Sequence, residues 1–349
     1  MFPSVEQGQE NSAATQSRDE VLRAFRWMIL GRLLDEKLAS LYRGGKIHGG
    51  VYTGRGQEAL STAVGMSLRK ADGDIFAPLI RDTAGRLAFG EPLLDGVRTY
   101  LGSALGPMRG RDGNVHRGRP REGLLPMLSH LGATISVVNG MLMARRFRGV
   151  RDVVGASCIG EGATSTGAFH EAINQAAIEK LPLILVIANN QYAYSTPTSR
   201  QFACSNLVER AVGYGVAGHE VDGTIVTNCL KVLKEAVAKA RSGGGPQMIV
   251  ASLLRLCGHG EHDDCSYIDP KLRESALGRD CVKVAEELIV KKGWAAKLEI
   301  ENWRGEATAK VEEAVARVQR EAAPDPYQET WCALCCKELR ELYEREKSP

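Results

Sequence analysis

Two polar residues, each placed directly after an apolar stretch, most constrain how this chain can fold. Glu161 follows one such stretch, and Asn190 follows the apolar run 182–188, 29 positions further on. The segment between them, 166–180, is compatible with a helix, so the pieces predict a strand–helix–strand unit with parallel strands. The carboxyl ends of parallel strands meet at one edge, where ligands bind in open α/β sheets. A carboxylate and an amide carbonyl at that edge suit a hard cation such as Mg²⁺.

The rest of the chain repeats this alternation of apolar strands and helices. Strands are predicted at 74–80, 152–159, 182–188, 216–221 and 247–254, and helices at about 17–44, 58–70, 133–147, 166–180, 226–241 and from 272 onward. This order predicts an α/β fold, a mostly parallel sheet with helices on both faces. Residues 102–128, rich in Gly, Arg and Pro, are predicted to form a long loop.

Three parts are predicted along the chain: a polar N-terminal arm at 1–16, an α/β domain at 17–270 and a helical C-terminal extension at 271–349. The Ser17-x-x-Glu20 pattern is typical of a capping box at the start of the first long helix.

Composition indicates a globular protein of the cytoplasm. Hydrophobic residues make up 44% and charged residues 25% of the 349 positions, as in average globular domains. The net charge of +3 is too small to indicate a nucleic acid or a membrane surface as a partner. No apolar run is long enough to cross a bilayer, and the N-terminus lacks the apolar segment of a secretory signal. We therefore expect a cytoplasmic location.

The nine cysteines indicate free thiols in a reducing compartment, because their number is odd and no signal peptide is recognisable. Cys332, Cys335 and Cys336 form a CxxCC cluster that could hold a metal. No second cysteine pair has zinc-like spacing, so buried or incidental thiols are the favoured interpretation.

The segment from Gly160 to Tyr194, GEGATSTGAFHEAINQAAIEKLPLILVIANNQYAY, resembles the thiamine-diphosphate motif, in which GDG is followed after about 30 residues by NN. Further landmarks, in a fixed order from Leu22 to Tyr267, resemble the alpha subunits of the pyruvate and branched-chain 2-oxo acid dehydrogenases. The resemblance implies the thiamine-diphosphate-binding fold, and within it the domain that binds the diphosphate. It also implies Glu161, Asn190 and the backbone carbonyl of Tyr192 as Mg²⁺ ligands.

Further cofactor contacts are implied by the same resemblance. Backbone groups of Gly162 and Ala163 would contact the diphosphate, and so would Arg81, whose guanidinium suits phosphate oxygens. Ile80 stands where the family has a tyrosine, so one hydroxyl contact is absent. An ordinary surface arginine is the alternative for Arg81. Ala188 also departs from the family, many of whose members have a polar residue there.

The Ser129–Gly132 loop precedes a predicted helix and matches a family loop that contacts the aminopyrimidine, which implies Leu131 and Gly132 as contacts. Branched-chain members bind potassium nearby through residues matching Ser129 and Thr134. We expect the remaining loop residue, His130, to be a packing residue.

His259 matches a family histidine that reaches the cofactor phosphate or the transition state, and its ordinary pKa suits proton transfer near neutral pH. Gly260 replaces the serine that regulated members phosphorylate, so that switch is expected to be absent. The Glu261–Asp264 cluster looks like a metal site, but an acidic loop that orders around the cofactor is favoured. Four arginines lie in the long loop, where they could meet an anionic partner or a substrate carboxylate, or simply be solvated: Arg111, Arg117, Arg119 and Arg121.

The resemblance implies oxidative decarboxylation of a 2-oxo acid, with transfer of the acyl group to a lipoyl arm of a separate acyltransferase component. In this family the aminopyrimidine-binding domain lies in a beta subunit, which implies an α₂β₂ assembly and an inactive isolated chain. Acetoin cleavage is an alternative activity. A cofactor-binding but catalytically silent scaffold is another, motivated by Ile80, Ala188 and Glu161, which replaces the commoner Asp of the motif. A dinucleotide-binding dehydrogenase is disfavoured, because the Gly160 region lacks GxGxxG.

Overall fold

The computed structural model describes residues 17–325 and Tyr327, and it contains the predicted parallel sheet. Five parallel strands are arranged in the order β1-β2-β3-β7-β6. A short antiparallel hairpin, β4–β5, follows β3. The strands are β1 (Ile75–Ala77), β2 (Gly155–Gly160), β3 (Leu183–Asn189), β4 (Tyr192–Ala193), β5 (Thr196–Pro197), β6 (Ala217–Asp222) and β7 (Gln247–Ser252).

Helices surround the sheet along the described part of the chain. They are α1 (Arg18–Arg43), α2 (Glu58–Ser67), α3 (Thr83–Phe89), α4 (Leu93–Tyr100), α5 (Ala133–Phe147), α6 (Gly167–Ile178), α7 (Glu209–Gly213), α8 (Val226–Lys239), α9 (Pro270–Glu274), α10 (Cys281–Lys291) and α11 (Lys297–Val318). Helices α3 and α4 were not predicted, because they are only 7 and 8 residues long and therefore too short for a clear periodicity. No described helix is long and apolar enough to cross a membrane.

The first predicted strand, 74–80, is longer than the observed β1, so that prediction is wrong in extent. Pro78 follows the last residue of β1 and has no N–H to donate to a neighbouring strand. The chain then turns: the backbone N–H of Leu79 donates to the Asp82 carboxylate over 2.7 Å. After this turn, Arg81 contacts the loops that carry Thr53 and His259.

The N-terminal end of α1 forms only half of the predicted capping box. The Ser17 hydroxyl accepts from the Glu20 N–H, as predicted. The Glu20 carboxylate instead forms an ion pair with Lys234 of α8. The cap therefore fixes the start of α1, while the acidic side chain ties α1 to a neighbouring helix.

Alternate residues of the central strands fill two cores, one on each face of the sheet. On one face, Ile184 and Val186 of β3 pack with residues of α1, α2, α8 and α10. On the other, Leu185 and Ile187 pack with residues of α5 and α6. This two-sided burial confirms the predicted layered architecture. The predicted boundaries at 16 and 270 stay predictions, and the CxxCC cluster lies outside the described residues.

Candidate active site at the carboxyl edge of the sheet

Glu161 and Asn190 lie together at the ends of β2 and β3, as their positions in the sequence predict. The Glu161 side chain is buried, with only 1% of the residue exposed. Its Oε2 accepts from the backbone N–H of Asn190 and its Oε1 from Gln201 Nε2, both over 3.2 Å. Burial raises the pKa of Glu161, since hydrogen bonds from neutral donors compensate its desolvation only in part. A bound cation would stabilise this carboxylate.

Asn190 and Tyr192 place two further oxygen atoms beside Glu161. Asn190 Nδ2 donates to Gln57 Oε1 over 2.9 Å, which fixes the orientation of the amide. Asn190 Oδ1 accepts only a long bond from the Tyr192 N–H, over 3.4 Å. The Tyr192 carbonyl accepts from Arg255 Nη1 over 3.3 Å. The predicted magnesium ligands thus belong to one hydrogen-bonded cluster of hard oxygen atoms.

The turn after Glu161 leads into α6 and packs closely against the β4–β5 hairpin. A Cβ built on Gly162 would lie 2.6 Å from the Cβ of Ala193, so a larger residue would displace the hairpin. Ala163 is buried, and its carbonyl accepts from the Thr166 hydroxyl over 2.8 Å. Close packing therefore explains why small residues occupy both predicted diphosphate contacts.

Arg81 is buried, so the alternative of an ordinary surface arginine is wrong. Its Nη1 donates to the Thr53 carbonyl over 2.8 Å, and its Nη2 to the His259 carbonyl over 2.6 Å. Within the described part of the chain it forms no ion pair with a carboxylate. Burial lowers the pKa of Arg81, because the charged form is desolvated without a direct counter-charge. An anion would stabilise this guanidinium.

Arg255 is a second buried arginine at this edge, and the sequence analysis missed it. Its Nη2 donates to the Tyr194 carbonyl over 2.7 Å and to the Tyr267 hydroxyl. The Tyr267 hydroxyl in turn donates to Asp263, which also accepts from the His259 N–H. Arg255 thus connects the hairpin after Asn190 with the loop that carries His259.

His259 lies between aromatic rings and buried cations. Its ring centroid is 4.5 Å from that of Tyr194 and 5.3 Å from that of Tyr52. Partial burial, together with the charges of Arg81 and Arg255, lowers the pKa of His259 to about 4. The imidazole is therefore neutral near pH 7.

The acidic residues after His259 support the loop and do not form a metal site. Glu261 forms an ion pair with Arg43 on α1, and Asp263 accepts from the backbone N–H groups of His259 and Cys265. No group of three or more His, Cys, Asp or Glu residues in the described structure could hold a metal ion. The magnesium cluster predicted above contains one carboxylate only, so this result does not bear on it.

The Ser129–Gly132 loop lies against the turn that follows Glu161. The Thr166 hydroxyl oxygen lies 3.4 Å from the Leu131 carbonyl oxygen, and a Cβ on Gly132 would lie 2.9 Å from that hydroxyl oxygen. Gly132 has a φ of +83°, which favours glycine. Leu131 is 45% exposed at the surface.

The hydroxyl groups of Ser129 and Thr134 both have partners near this loop. Ser129 Oγ lies 2.7 Å from His116 Nε2, and Thr134 Oγ1 lies 3.2 Å from Ser157 Oγ. His130 is exposed, so the expectation of a packing role for it is wrong.

Arg117 and Arg119 of the long loop form ion pairs within the chain, and Arg111 and Arg121 are exposed. Arg117 is buried and pairs with Glu91, and Arg119 pairs with Asp95. These pairs fasten the loop to the region around α4, so a partner-binding or solvated role is wrong for the buried Arg117. For Arg111, Arg119 and Arg121 these roles stay predictions.

A family model and several characterised relatives agree on one family. The model of the dehydrogenase E1 component family matches residues 25–327. The alpha subunit of acetoin:2,6-dichlorophenolindophenol oxidoreductase from Cupriavidus necator is 31% identical over 91% of this chain and 94% of its own length. The alpha subunit of the pyruvate dehydrogenase E1 component from Rhizobium meliloti is 31% identical over 88% of each chain. The alpha subunit of 2-oxoisovalerate dehydrogenase from Bacillus subtilis is 34% identical over 71% of this chain and 74% of its own.

Proposed function

This chain belongs to the dehydrogenase E1 component family of oxidoreductases, and we propose that it is the alpha subunit of a 2-oxo acid dehydrogenase. In this proposal it binds Mg²⁺ and thiamine diphosphate at the carboxyl edge of its sheet, where a beta subunit completes the site. The reaction is the oxidative decarboxylation of a 2-oxo acid, and the acyl group passes to the lipoyl carrier of an acyltransferase component. The proposed location is the cytoplasm.

The main support for this proposal is that the site contains buried charged side chains without directly bonded partners of opposite charge. Glu161 is a buried carboxylate with neutral hydrogen-bond donors, whereas Arg81 and Arg255 are buried guanidiniums that donate to carbonyl and hydroxyl oxygens. Buried charges are costly unless they are compensated. Near Glu161, the buried Gln201 Oε1 also lacks a hydrogen-bond partner in the described structure. A divalent cation with a diphosphate would supply both missing charges, so the residues fit the group.

The residues would divide this task by their chemistry. Glu161, Asn190 Oδ1 and the Tyr192 carbonyl offer the oxygen ligands that Mg²⁺ prefers. Arg81 and the backbone of Gly162–Ala163 would hold the diphosphate. When bound, thiamine diphosphate supplies the carbon nucleophile and the electron sink for breaking the bond next to the keto carbon.

His259 would hold a proton at a defined atom. Its Nδ1 lies 3.5 Å from Arg81 Nη2, and because a guanidinium can only donate, Nδ1 is placed as the acceptor. The proton of the neutral ring is then on Nε2, which can donate to a phosphate or to a developing oxyanion. The rings of Tyr52 and Tyr194 cover the imidazole and limit its access to water.

Acetoin is a second candidate substrate. The C. necator relative, named for acetoin, matches this chain over 94% of its own length, at the same 31% identity as the pyruvate dehydrogenase subunit. The side chains described here frame the cofactor and do not select between an acid and a hydroxyketone.

Ser129 and Thr134 are the proposed potassium ligands.

Reduction of an artificial electron acceptor by the chain co-expressed with its beta subunit tests the proposal. Pyruvate, three branched 2-oxo acids and acetoin would be compared, each with and without thiamine diphosphate and Mg²⁺. We expect turnover of one substrate class only when both cofactors are present. Replacement of potassium by sodium in the same assay tests the potassium ligands. Bound cofactor without turnover of any substrate would contradict the enzyme assignment and favour the silent scaffold, for which Ile80, Glu161 and Ala188 are the supporting departures.

A further inference from the structure

A buried carboxylate on α1, Asp35, lies beneath the loops of the proposed cofactor site. Only 4% of the residue is exposed. Its Oδ2 accepts from the backbone N–H of Gly54 over 2.7 Å, and its Oδ1 accepts from the Thr83 hydroxyl over 2.8 Å. Each carboxylate oxygen therefore binds a different segment of the chain.

Both of these segments hold Arg81. The residue before Gly54 is Thr53, whose carbonyl accepts from Arg81 Nη1. Gly54 itself packs on the Arg81 backbone, because a Cβ at Gly54 would lie 2.3 Å from the Arg81 carbonyl oxygen. Thr83 is the first residue of α3 and follows Arg81 by two positions. Asp35 thus fixes the acceptor of the guanidinium on one side and the backbone after it on the other.

Asp35 is not part of the ion-pair network on the same helix. Arg32, one turn before it, is occupied by Glu58 and Asp280. Burial raises the pKa of Asp35 to about 7, against the opposing effect of its hydrogen bonds from Gly54 and Thr83. Burial of a carboxylate is unfavourable, so its presence among the buried apolar residues of α1 indicates a specific structural role.

We infer that Asp35 is a positioning residue that holds the guanidinium of Arg81 in place for the diphosphate. The inference rests on the proposed function. Asp35 does not contact the cofactor in this account, and it acts only through the segments at Gly54 and Thr83. Loss of either hydrogen bond would let Arg81 move relative to the Gly162–Ala163 turn and weaken diphosphate binding.

Two substitutions on this contact and one matched control test the inference. Asp35→Asn keeps the size of the side chain but has only one accepting oxygen, so an amide N–H replaces the acceptor of one of the two hydrogen bonds. Thr83→Val removes the other partner's hydroxyl at nearly constant shape. Thr62→Val is the control, because the Thr62 hydroxyl is buried without a hydrogen-bond partner in the described structure.

The affinity for thiamine diphosphate would be measured by calorimetry at saturating Mg²⁺, on the chain in complex with its beta subunit. We expect the Kd to rise about 10-fold for Asp35→Asn and about 3-fold for Thr83→Val, the effect of one buried hydrogen bond. The Thr62→Val variant should stay within about 2-fold of wild type. If Asp35→Asn does not fold, the Kd values of Thr83→Val and Thr62→Val are compared instead. Equal Kd values for those two variants would overturn the inference.

An Arg81→Met background separates positioning from a general loss of packing. If Asp35 acts through Arg81, Asp35→Asn should cause no further loss of affinity when Arg81 is already methionine. The same 10-fold loss in both backgrounds would overturn the inference. A wild-type complex that does not bind thiamine diphosphate would contradict the proposed function itself. Normal binding by wild type and by Asp35→Asn would contradict the role of Asp35 alone.

Discussion

Two clusters of buried arginines in this molecule differ in how their charge is balanced. In the first, which joins the long loop to the region around α4, Arg86 and Arg117 each donate two hydrogen bonds to the carboxylate of Glu91. In the second, at the carboxyl edge, Arg81 and Arg255 donate to carbonyl and hydroxyl oxygens. Arg117 and Arg81 are equally buried, at 4% and 5% exposure. Charge balance, and not burial, therefore distinguishes the arginines that fasten a loop from those that we propose face a ligand.

The pKa of one ionisable group in each cluster, Glu91 in the first and His259 in the second, reflects this difference. Desolvation would raise the pKa of Glu91, but the charges of Arg117 and Arg86 outweigh it and lower that pKa to about 2. Because this folded-state pKa lies below the unfolded value, Glu91 stabilises the fold above about pH 4.5, and this stabilisation is lost as the pH falls toward 2. At the carboxyl edge the arginines act on a histidine instead and disfavour its protonation.

The largest expected effect is on stability, in the balanced cluster. Glu91→Gln would leave two buried guanidiniums without a carboxylate, so we expect the free energy of unfolding to fall by about 3–5 kcal/mol. Chemical denaturation measures this change. Glu122→Gln is the control, because Glu122 is 41% exposed beside Lys70 and Arg119, and its loss should cost at most about 1 kcal/mol. Similar losses for the two variants would remove the basis of the comparison.

The next effect is on turnover, in the unbalanced cluster. His259→Ala should lower the turnover of the complex with the beta subunit by about 10²-fold or more, the usual contribution of a positioned proton-transfer group. The melting temperature should change little, since the imidazole is only partly buried. His262→Ala, on the exposed part of the same loop, should keep the wild-type rate. A wild-type rate for His259→Ala would exclude a catalytic role.

A smaller effect is expected on cofactor affinity. Arg81→Met should weaken thiamine diphosphate binding by about 10- to 100-fold, the contribution of a charge-assisted hydrogen bond. It should destabilise the unliganded protein less than Glu91→Gln does. Arg81→Met removes a buried charge, whereas Glu91→Gln leaves buried charges without their partner. Calorimetry and denaturation of the same preparations measure both quantities. A larger loss of stability than in Glu91→Gln would show that Arg81 is mainly structural.

The smallest effect is a change in titration. Without ligand, His259 should titrate near pH 4, and its depressed pKa makes the fold less stable as the pH falls from about 6.5 toward 4. A bound diphosphate would oppose the charges of Arg81 and Arg255, so the pKa of His259 should rise when the cofactor binds. Nuclear magnetic resonance of labelled histidine follows this directly. A value near 6.5 without ligand would contradict the electrostatic description of the site.

Residues with a local signal in the sequence could be predicted, whereas residues with distant partners could not. Glu161 and Asn190 were predictable, because a polar residue after an apolar strand has a fixed place at the edge of a parallel sheet. The core strands and the long helices followed from their apolar patterns. Arg117 was misinterpreted because its partner, Glu91, lies 26 positions away, and only the fold reveals the pair.

Residues whose role depends on distant contacts had no local signal. Gln57 meets Asn190 across 133 positions, and Arg255 meets the Tyr192 carbonyl across 63. Asp35 appears in the sequence as one acidic residue in a helix, and its two partners lie on other segments. Tertiary packing decides which polar residues are buried and which of them support the site.

Calorimetric titration of thiamine diphosphate into the complex with the beta subunit would show whether the buried carboxylate of Glu161 and the buried guanidinium of Arg81 together bind a magnesium diphosphate. The titration would be run with and without Mg²⁺, on wild type and on Asn190→Ala. The account predicts saturable binding to wild type that requires Mg²⁺ and is lost in Asn190→Ala, because octahedral Mg²⁺ tolerates loss of a ligand poorly. Binding of equal strength without Mg²⁺, or undiminished binding to Asn190→Ala, would contradict it.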